Sequence, residues 1–214
     1  MINYTKYIIP VYDKQVELGI ENCFTSSKEF EVLIGNGVFV GDYFVTAYHV
    51  IDGANSPYIK YEGKIVALTK AYEIGHADQP GKDGRAFGHD DPNNGDVIVF
   101  KIDGVGSPFR LSESLPAVGQ KLENIFYKNV HNSKSNDTID ICAIKTTAVV
   151  KDAYYFVGNF FGCDMTPMHP EKGGSSGSPI FDGNIVYGIL HGGKESMCVF
   201  CSSVYTLKVI SNAM

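Results

Sequence analysis

The chain has 214 residues, of which 44% are hydrophobic, so it can bury the core of one large domain or two small ones. Its formal net charge is -6 and no basic run is present, which argues against nucleic acid or an anionic membrane as the main partner. The N-terminal segment lacks the pattern of a signal peptide, and no later run is long enough to span a membrane. We therefore expect a soluble, cytoplasmic protein.

Short segments rich in Val, Ile, Phe, Tyr and Thr follow one another along most of the chain, separated by clusters of Gly, Asn, Asp and Pro. This pattern predicts an all-β protein. The predicted strand segments are 30–41, 43–51, 58–74, 96–102, 143–161, 178–190 and 197–205. Two polar stretches, 75–95 and 128–140, are predicted to be loops.

Local signals add detail to this pattern. The sequence FDGN at 181–184 predicts a tight hairpin turn, because Asp-Gly or Gly-Asn readily adopts positive φ. Gly-Asn-Gly at 35–37 predicts a turn or a bulge, and the last ten residues could form a short C-terminal helix. The segment 103–120 has no strong pattern and could link two halves of the chain. We expect one unit over residues 1–110 and a second over 111–214.

Three distant segments carry the residues that activated-serine chemistry requires. A serine hydroxyl becomes a good nucleophile only when a nearby base takes its proton, and a third group must orient that base. His49 ends the segment FVTAYH, Asp96 begins an apolar strand segment after Asn-Asn-Gly, and Ser176 lies in GGSSGSP. Each segment has an ordinary alternative, namely a core histidine, a turn aspartate or a flexible loop. The joint presence of all three favours catalysis.

In these three motifs the sequence resembles the chymotrypsin-like serine proteases, whose residues follow the same order of histidine, aspartate and serine. The resemblance implies two packed six-stranded antiparallel β-barrels with the active site between them. It implies that His49 is the general base, that Asp96 fixes its tautomer and that Ser176 is the nucleophile. It also implies that the backbone N–H groups of Gly174 and Ser176 bind the oxyanion.

The chain also departs from part of that family. Members that are activated by cleavage carry an aspartate immediately before the serine, where this chain has Ser175. The pattern is closer to glutamyl endopeptidases, HtrA-type proteases and viral main proteases. The resemblance implies a polypeptide substrate and no cofactor, and it leaves the oligomeric state open. The alternative from another class is a non-enzymatic binding module with a protease fold, but such a module would not need an intact triad.

Substrate preference depends on the strand after the nucleophile. In the glutamyl and viral members a histidine of this strand lines the substrate pocket, and here His191 comes one position later. A one-residue shift would turn its side chain toward Asp96, whereas a bulge at Gly192 could restore the pocket orientation. We predict that His191 reads the substrate and that cleavage follows Glu or Gln. If Glu171 points into the pocket instead, cleavage after Lys or Arg is the alternative.

The cysteines offer a possible metal site. There are five, an odd number at irregular spacing, which favours reduced thiols over a disulfide framework. Cys198 and Cys201 form a C-x-x-C pair, and Cys163 with His169 or His191 could complete a zinc site. However, positions three apart in a strand point to opposite faces, so we predict buried free cysteines and no metal.

Overall fold

The computed structural model describes residues 3–21, 24–77, 95–131, 139–155, 159–166, 174–194 and 197–213. Within these ranges, a 3-10 helix at Tyr4–Tyr7 precedes fourteen strands and two α-helices. The elements are β1 (Ile8–Glu21), β2 (Phe24–Val40), β3 (Tyr43–Thr46), α1 (Tyr48–Ile51), β4 (Tyr58–Tyr61), β5 (Lys64–Ala67), β6 (Glu73–Ala77), β7 (Val97–Lys101), β8 (Arg110–Leu111), β9 (Lys121–His131), β10 (Ile139–Tyr155), β11 (Phe160–Thr166), β12 (Pro179–Asp182), β13 (Ile185–Lys194), β14 (Met197–Ser202) and α2 (Ser203–Ala213).

Strands make up 61% of the structure, which confirms the prediction of an all-β protein. The first sheet has the order β5-β4-β1-β2-β3-β7-β6. It curls into a half-barrel, and in the part of the chain that the structure describes its end strands are not paired with each other. Strand β3, which leads into His49, lies in the interior of this sheet between β2 and β7.

The second sheet closes into a six-stranded barrel. Its order is β12-β9-β10-β11-β14-β13, and the ring closes because β12 also pairs with β13. The short strand β8 adds to β13 in parallel. Because β8 begins at Arg110 and already belongs to the second sheet, the change between sheets falls near the predicted boundary, although the division at residue 110 stays a prediction.

The two sheets pack against each other over a shared core. One buried cluster joins Phe39, Phe44 and Phe100 of the first sheet to Phe160 and Phe181 of the second. A separate cluster, which includes Leu122, Phe161, Ile180 and Phe200, is built entirely from strands of the closed barrel. Burial of these large side chains supplies the main stabilising contribution to the fold.

The C-terminal helix is confirmed, and it packs back onto the protein. Tyr205, Val209 and Ile210 of α2 belong to the shared core. The helix also closes on the segment before Asp96, because a Cβ added at Gly95 would lie 1.9 Å from the ring of Tyr205. No helix in the described ranges combines the length and the apolar character needed to cross a lipid bilayer.

The predicted hairpin turn is present. Asp182 pairs with Ile185 across a two-residue loop whose first residue, Gly183, has φ +56°. The register between β1 and β2 shifts beside Gly35, so the Gly-Asn-Gly segment is associated with a bulge, one of the two predicted alternatives.

Both predicted loops begin later than the sequence suggested, and the second loop also ends earlier. Part of 75–95 belongs to β6, and β9 and β10 extend into 128–140 because they pair with each other to residues His131 and Ile139. Cross-strand pairing therefore overrides the polar character of these segments. Residues 78–94 and 132–138 lie outside the described part.

Candidate active site

The sequence predicted His49 at the end of a strand, but the residue lies on a single helical turn. Strand β3 ends at Thr46, and after Ala47 the chain turns into α1, whose second residue is His49. Thr46 and Ala47 are fully buried, whereas 26% of the His49 side chain is exposed. The buried strand therefore fixes the backbone on one side while the imidazole reaches the surface.

Asp96 precedes β7 and meets His49 with both carboxylate oxygens. Its Oδ1 accepts a hydrogen bond from the backbone N–H of His49 at 2.9 Å, and its Oδ2 accepts one from His49 Nδ1 at 2.7 Å. A third bond comes from His191 Nδ1 to the same Oδ2 at 2.5 Å. The backbone of Asp96 has φ +46°, a conformation that costs energy for a non-glycine residue and that these bonds help to hold.

The carboxylate is fully buried, and its charge is stabilised by the two imidazoles. Burial alone would raise the pKa of Asp96, but hydrogen bonds from His191 and His49 outweigh burial and lower the pKa to about 2. Asp96 is therefore charged at neutral pH. An ionised carboxylate can only accept hydrogen bonds, so each Nδ1 that contacts it carries the proton.

Ser176 lies in the loop between β11 and β12 and is tied to the first sheet through its backbone. The N–H of Asn36 donates to the carbonyl of Ser176 at 2.8 Å. A Cβ added at Gly35 would lie 2.7 Å from the side chain of Val50 and 3.0 Å from the same carbonyl. Val50, the residue after His49, and the carbonyl of Ser176 therefore both lie close to Gly35.

A second connection runs through the barrel. The N–H of Gly177 donates to the carbonyl of Leu190 at 2.8 Å, and the next residue, His191, contacts Asp96. The structure thus brings the three predicted segments together at the junction of the two sheets. In the described residues it records no hydrogen bond between the Ser176 hydroxyl and His49.

The neighbouring serines have different environments. Ser178 is completely buried, and its Oγ accepts a hydrogen bond from Asn124 Nδ2 at 2.9 Å. Ser176 is only half-buried. A structural role for Ser178 agrees with the sequence analysis, which selected Ser176 as the candidate nucleophile.

Two glycines shape this loop for different reasons. Gly174 has φ +97° with nothing within 4 Å of an added Cβ, so the backbone conformation, not lack of space, requires glycine there. Gly177 has φ +79°, and an added Cβ would lie only 2.0 Å from the carbonyl of Asn36. The loop therefore combines an unusual backbone with close packing on β2.

His191 occupies a bulge and contacts Asp96. The register between β13 and β14 shifts between Leu190 and Gly192, which leaves His191 as the extra residue. Its side chain is buried, bonds to Asp96 and packs against the ring of Phe160 at 5.4 Å between centroids. The bulge was expected to turn this side chain into the pocket, yet its Nδ1 faces the carboxylate.

For the other two predicted pocket residues, Gly192 and Glu171, the structure does not test a role in binding substrate. Gly192 is half-buried with open space beside it, and Glu171 lies outside the described residues.

The cysteines behave as buried thiols in most cases. Cys198 packs in the barrel cluster and Cys201 in the shared core, so the two lie on opposite faces of β14, as predicted. Burial raises the pKa of Cys163 to about 12 and that of Cys198 to about 11. Cys142 is exposed. Cys23 and His169 lie outside the described part.

Three possible metal ligands do lie together elsewhere. In the part of the chain that the structure describes, the group found with ligand atoms within 4.8 Å of one another is His49, Asp96 and His191. Here both imidazoles already donate hydrogen bonds to the carboxylate, which explains why the three ligand atoms are close.

Asn36 is a site residue that sequence reasoning missed. Its side chain bonds to the carbonyl of Gly174, and its backbone N–H bonds to the carbonyl of Ser176. The Gly-Asn-Gly segment at 35–37 predicts only a turn or a bulge. A polar residue that interrupts an apolar strand segment was the available signal.

The fold is shared with proteases of several kinds. Neuropsin, a serine protease expressed in mouse brain, superposes with a TM-score of 0.64 at 16% identity over 100% of this chain and 97% of its own. The HtrA-type protease AlgW gives 0.63 at 15% identity over 99% and 67%. Tobacco etch virus protease gives 0.56 at 14% identity over 100% and 82%.

No family model matches the sequence, and no curated protein matches it by sequence. The structural likenesses show that the chain has the chymotrypsin-like serine protease fold, as the motifs implied.

Proposed function

We propose that this chain is a serine endopeptidase in which Ser176 is the nucleophile, His49 the general base and Asp96 the residue that orients it. The observation that carries the proposal is the paired contact of Asp96 with the backbone N–H and the Nδ1 of His49, at 2.9 and 2.7 Å. This geometry leaves Nε2 as the proton acceptor of the imidazole. The protease fold and the convergence of Ser176 on the same junction support the assignment.

The proposed reaction uses these groups in two stages. His49 Nε2 takes the proton from Ser176 Oγ as the oxygen attacks the substrate carbonyl carbon. The backbone N–H groups of Gly174 and Ser176 bind the negative oxygen of the tetrahedral intermediate. The imidazolium then gives its proton to the leaving amine, and the C–N bond breaks. Water, deprotonated by the same imidazole, hydrolyses the acyl-enzyme and restores Ser176.

Cleavage after Glu or Gln stays a prediction for this site. The bond between His191 and Asp96 supports a role for His191 in holding the carboxylate, the alternative that followed from a shifted strand. Its imidazole could serve the pocket only through the other ring nitrogen. The alternative of cleavage after Lys or Arg depends on Glu171, which the structure does not describe. A polypeptide substrate is proposed in either case, and a cytoplasmic location stays a prediction.

Peptide-library cleavage tests activity and preference in one experiment. Purified protein and its Ser176→Ala variant are incubated with a library, and new peptide termini are identified by mass spectrometry. We expect new termini with the wild type and none with the variant. Absence of cleavage by folded wild-type protein would contradict the proposal. Loss of Glu or Gln preference in His191→Ala, with cleavage retained, would assign the pocket to His191, whereas unchanged preference would exclude that role.

A further inference from the structure

Asn36 is a fully buried polar residue on β2 whose bonds extend to both sheets and to the nucleophile loop. Its Nδ2 donates to the carbonyl of Gly174 at 2.6 Å and to that of Tyr127 at 3.2 Å. Its Oδ1 accepts from the N–H of Tyr127 at 2.7 Å. Both N–H bonds and the oxygen of the side-chain amide are therefore hydrogen-bonded, and these bonds cross the junction between the sheets.

The backbone of Asn36 is equally engaged. Its N–H donates to the carbonyl of Ser176 at 2.8 Å, and its carbonyl accepts from Thr46 Oγ1 at 2.5 Å. Thr46 ends the strand that leads into His49. One residue is thus bonded to the nucleophile loop and to the strand before the proposed general base.

The orientation of the Asn36 amide is determined by its surroundings. Two carbonyl oxygens face Nδ2 and one N–H faces Oδ1. Exchanging the nitrogen and oxygen would place an acceptor against the carbonyls of Gly174 and Tyr127 and a donor against a donor. Only the observed orientation satisfies every group.

The two bonds to the loop hold two particular peptide planes. The carbonyl of Gly174 belongs to the peptide between residues 174 and 175, and the carbonyl of Ser176 belongs to the peptide between 176 and 177. The peptide between them carries the Ser176 N–H, one of the two proposed oxyanion donors. Because both neighbouring planes are fixed by Asn36, the direction of this N–H is restricted as well.

We propose that Asn36 is a positioning residue that holds the oxyanion-binding loop in its active conformation, an inference that rests on the proposed function. The need for such a residue follows from the loop itself, since Gly174 and Gly177 both adopt positive φ and glycine gives a chain little intrinsic stiffness. Asn36 provides the restraint from outside the loop. It acts through its hydrogen bonds to the backbone carbonyls of Gly174 and Ser176.

The test compares Asn36→Ala with Asn124→Ala. Asn124 is a matched control, because it is also a fully buried asparagine and its Nδ2 bonds to Ser178 Oγ at 2.9 Å and to the Pro179 carbonyl at 2.7 Å. Those bonds fall beyond the oxyanion-binding peptides. Both variants remove a satisfied buried amide, so both should lower the melting temperature. Asn36→Ser, which places a small polar hydroxyl at this position, replaces the alanine variant if that variant does not fold.

We expect Asn36→Ala to lower kcat by about 10- to 100-fold with KM changed by no more than about twofold, because loss of a full oxyanion donor typically costs about 100- to 1,000-fold in kcat. Asn124→Ala should retain kcat within about threefold. Equal kcat values for the two variants at equal folded fraction would overturn the proposal, since a merely structural role predicts equal effects.

Backbone hydrogen exchange tests Asn36 independently of catalysis. The N–H of Gly177 is bonded to the carbonyl of Leu190 and reports on the order of the loop. We expect this amide to lose protection in Asn36→Ala and to keep it in Asn124→Ala under conditions of equal global stability. Equal protection would overturn the positioning role. A folded wild type that shows loop protection but no hydrolysis would instead contradict the proposed function, so the two failures are distinguishable.

Discussion

Replacing Asp96 by asparagine should separate the orienting role of the carboxylate from its shape. The carboxylate now accepts three hydrogen bonds, from the backbone N–H and Nδ1 of His49 and from His191 Nδ1. An asparagine of the same shape has one acceptor oxygen and an NH2 group, which must face a donor unless one imidazole changes its tautomer. If His49 adopts the wrong tautomer, kcat should fall by about 10,000-fold.

The same substitution should remove a pH-dependent part of the stability. Burial alone would raise the pKa of Asp96, but the hydrogen bonds from His191 and His49 lower it from 3.8 to about 2. At about 1.4 kcal/mol per pKa unit, this shift contributes on the order of 2 kcal/mol of stability. Because the folded-state pKa is below the unfolded value, this stability is present above about pH 4 and is lost as the pH falls toward 2. Roughly half should be gone by about pH 3.

Urea unfolding of the wild type and Asp96→Asn between pH 3 and 7 measures this contribution. The difference in unfolding free energy between the two proteins should shrink by roughly 1 kcal/mol between about pH 5 and pH 3, as the pH falls toward the folded-state pKa of Asp96. A difference that does not change with pH would refute the argument that the two imidazoles stabilise a buried charge. A kcat within tenfold of wild type would refute the orienting role of Asp96.

Three further outcomes follow from the same geometry. Gly177→Ala should lower the unfolding free energy by at least about 3 kcal/mol, since its Cβ would lie 2.0 Å from the Asn36 carbonyl at φ +79°. A loss below about 1 kcal/mol in a urea titration would contradict this close packing. Iodoacetamide should modify the exposed Cys142 long before Cys163, whose pKa burial raises to about 12, and mass spectrometry showing equal rates would disprove the buried position. The hydrolysis rate should be higher at pH 8 than at pH 5, because the proposed general base must accept a proton from Ser176, and a flat profile would count against that base.

Much of the fold followed from local sequence patterns. Short segments rich in β-branched and aromatic residues predicted strands because these side chains pack well in a sheet. The hairpin turn predicted for Phe-Asp-Gly-Asn at 181–184 was correct because positive φ is a local property. The short C-terminal helix was also expected. Closure of the second sheet could not be read from any segment, because it depends on β12 pairing with both β9 and β13.

The site shows the same division between local and long-range information. His49, Asp96 and Ser176 could be selected because each lies in a short motif. The role of Asn36 could not, because its side-chain partners Tyr127 and Gly174 lie 91 and 138 positions away in the chain. The neighbours of an isolated asparagine in a strand segment are set by packing between sheets, which local sequence does not specify.

The orientation of His191 was also undetermined by sequence. Two glycines follow it, so a regular strand and a bulge were both allowed, and they predicted opposite faces. Pairing with β14 decided the register and placed the bulge at this residue. The contact with Asp96 then depends on Asp96 being at the junction of the sheets, which no feature near His191 indicates.

Covalent labelling of Ser176 tests most directly whether this serine is the proposed nucleophile. Folded protein is treated with a fluorophosphonate probe, and the labelled peptide is identified by mass spectrometry beside the Ser176→Ala variant. We expect one adduct on Ser176, formed faster at pH 8 than at pH 5 because the base must be unprotonated, and none on the variant. No adduct on well-folded wild-type protein, or equal labelling of Ser176→Ala, would contradict the claim that Ser176 is an activated serine.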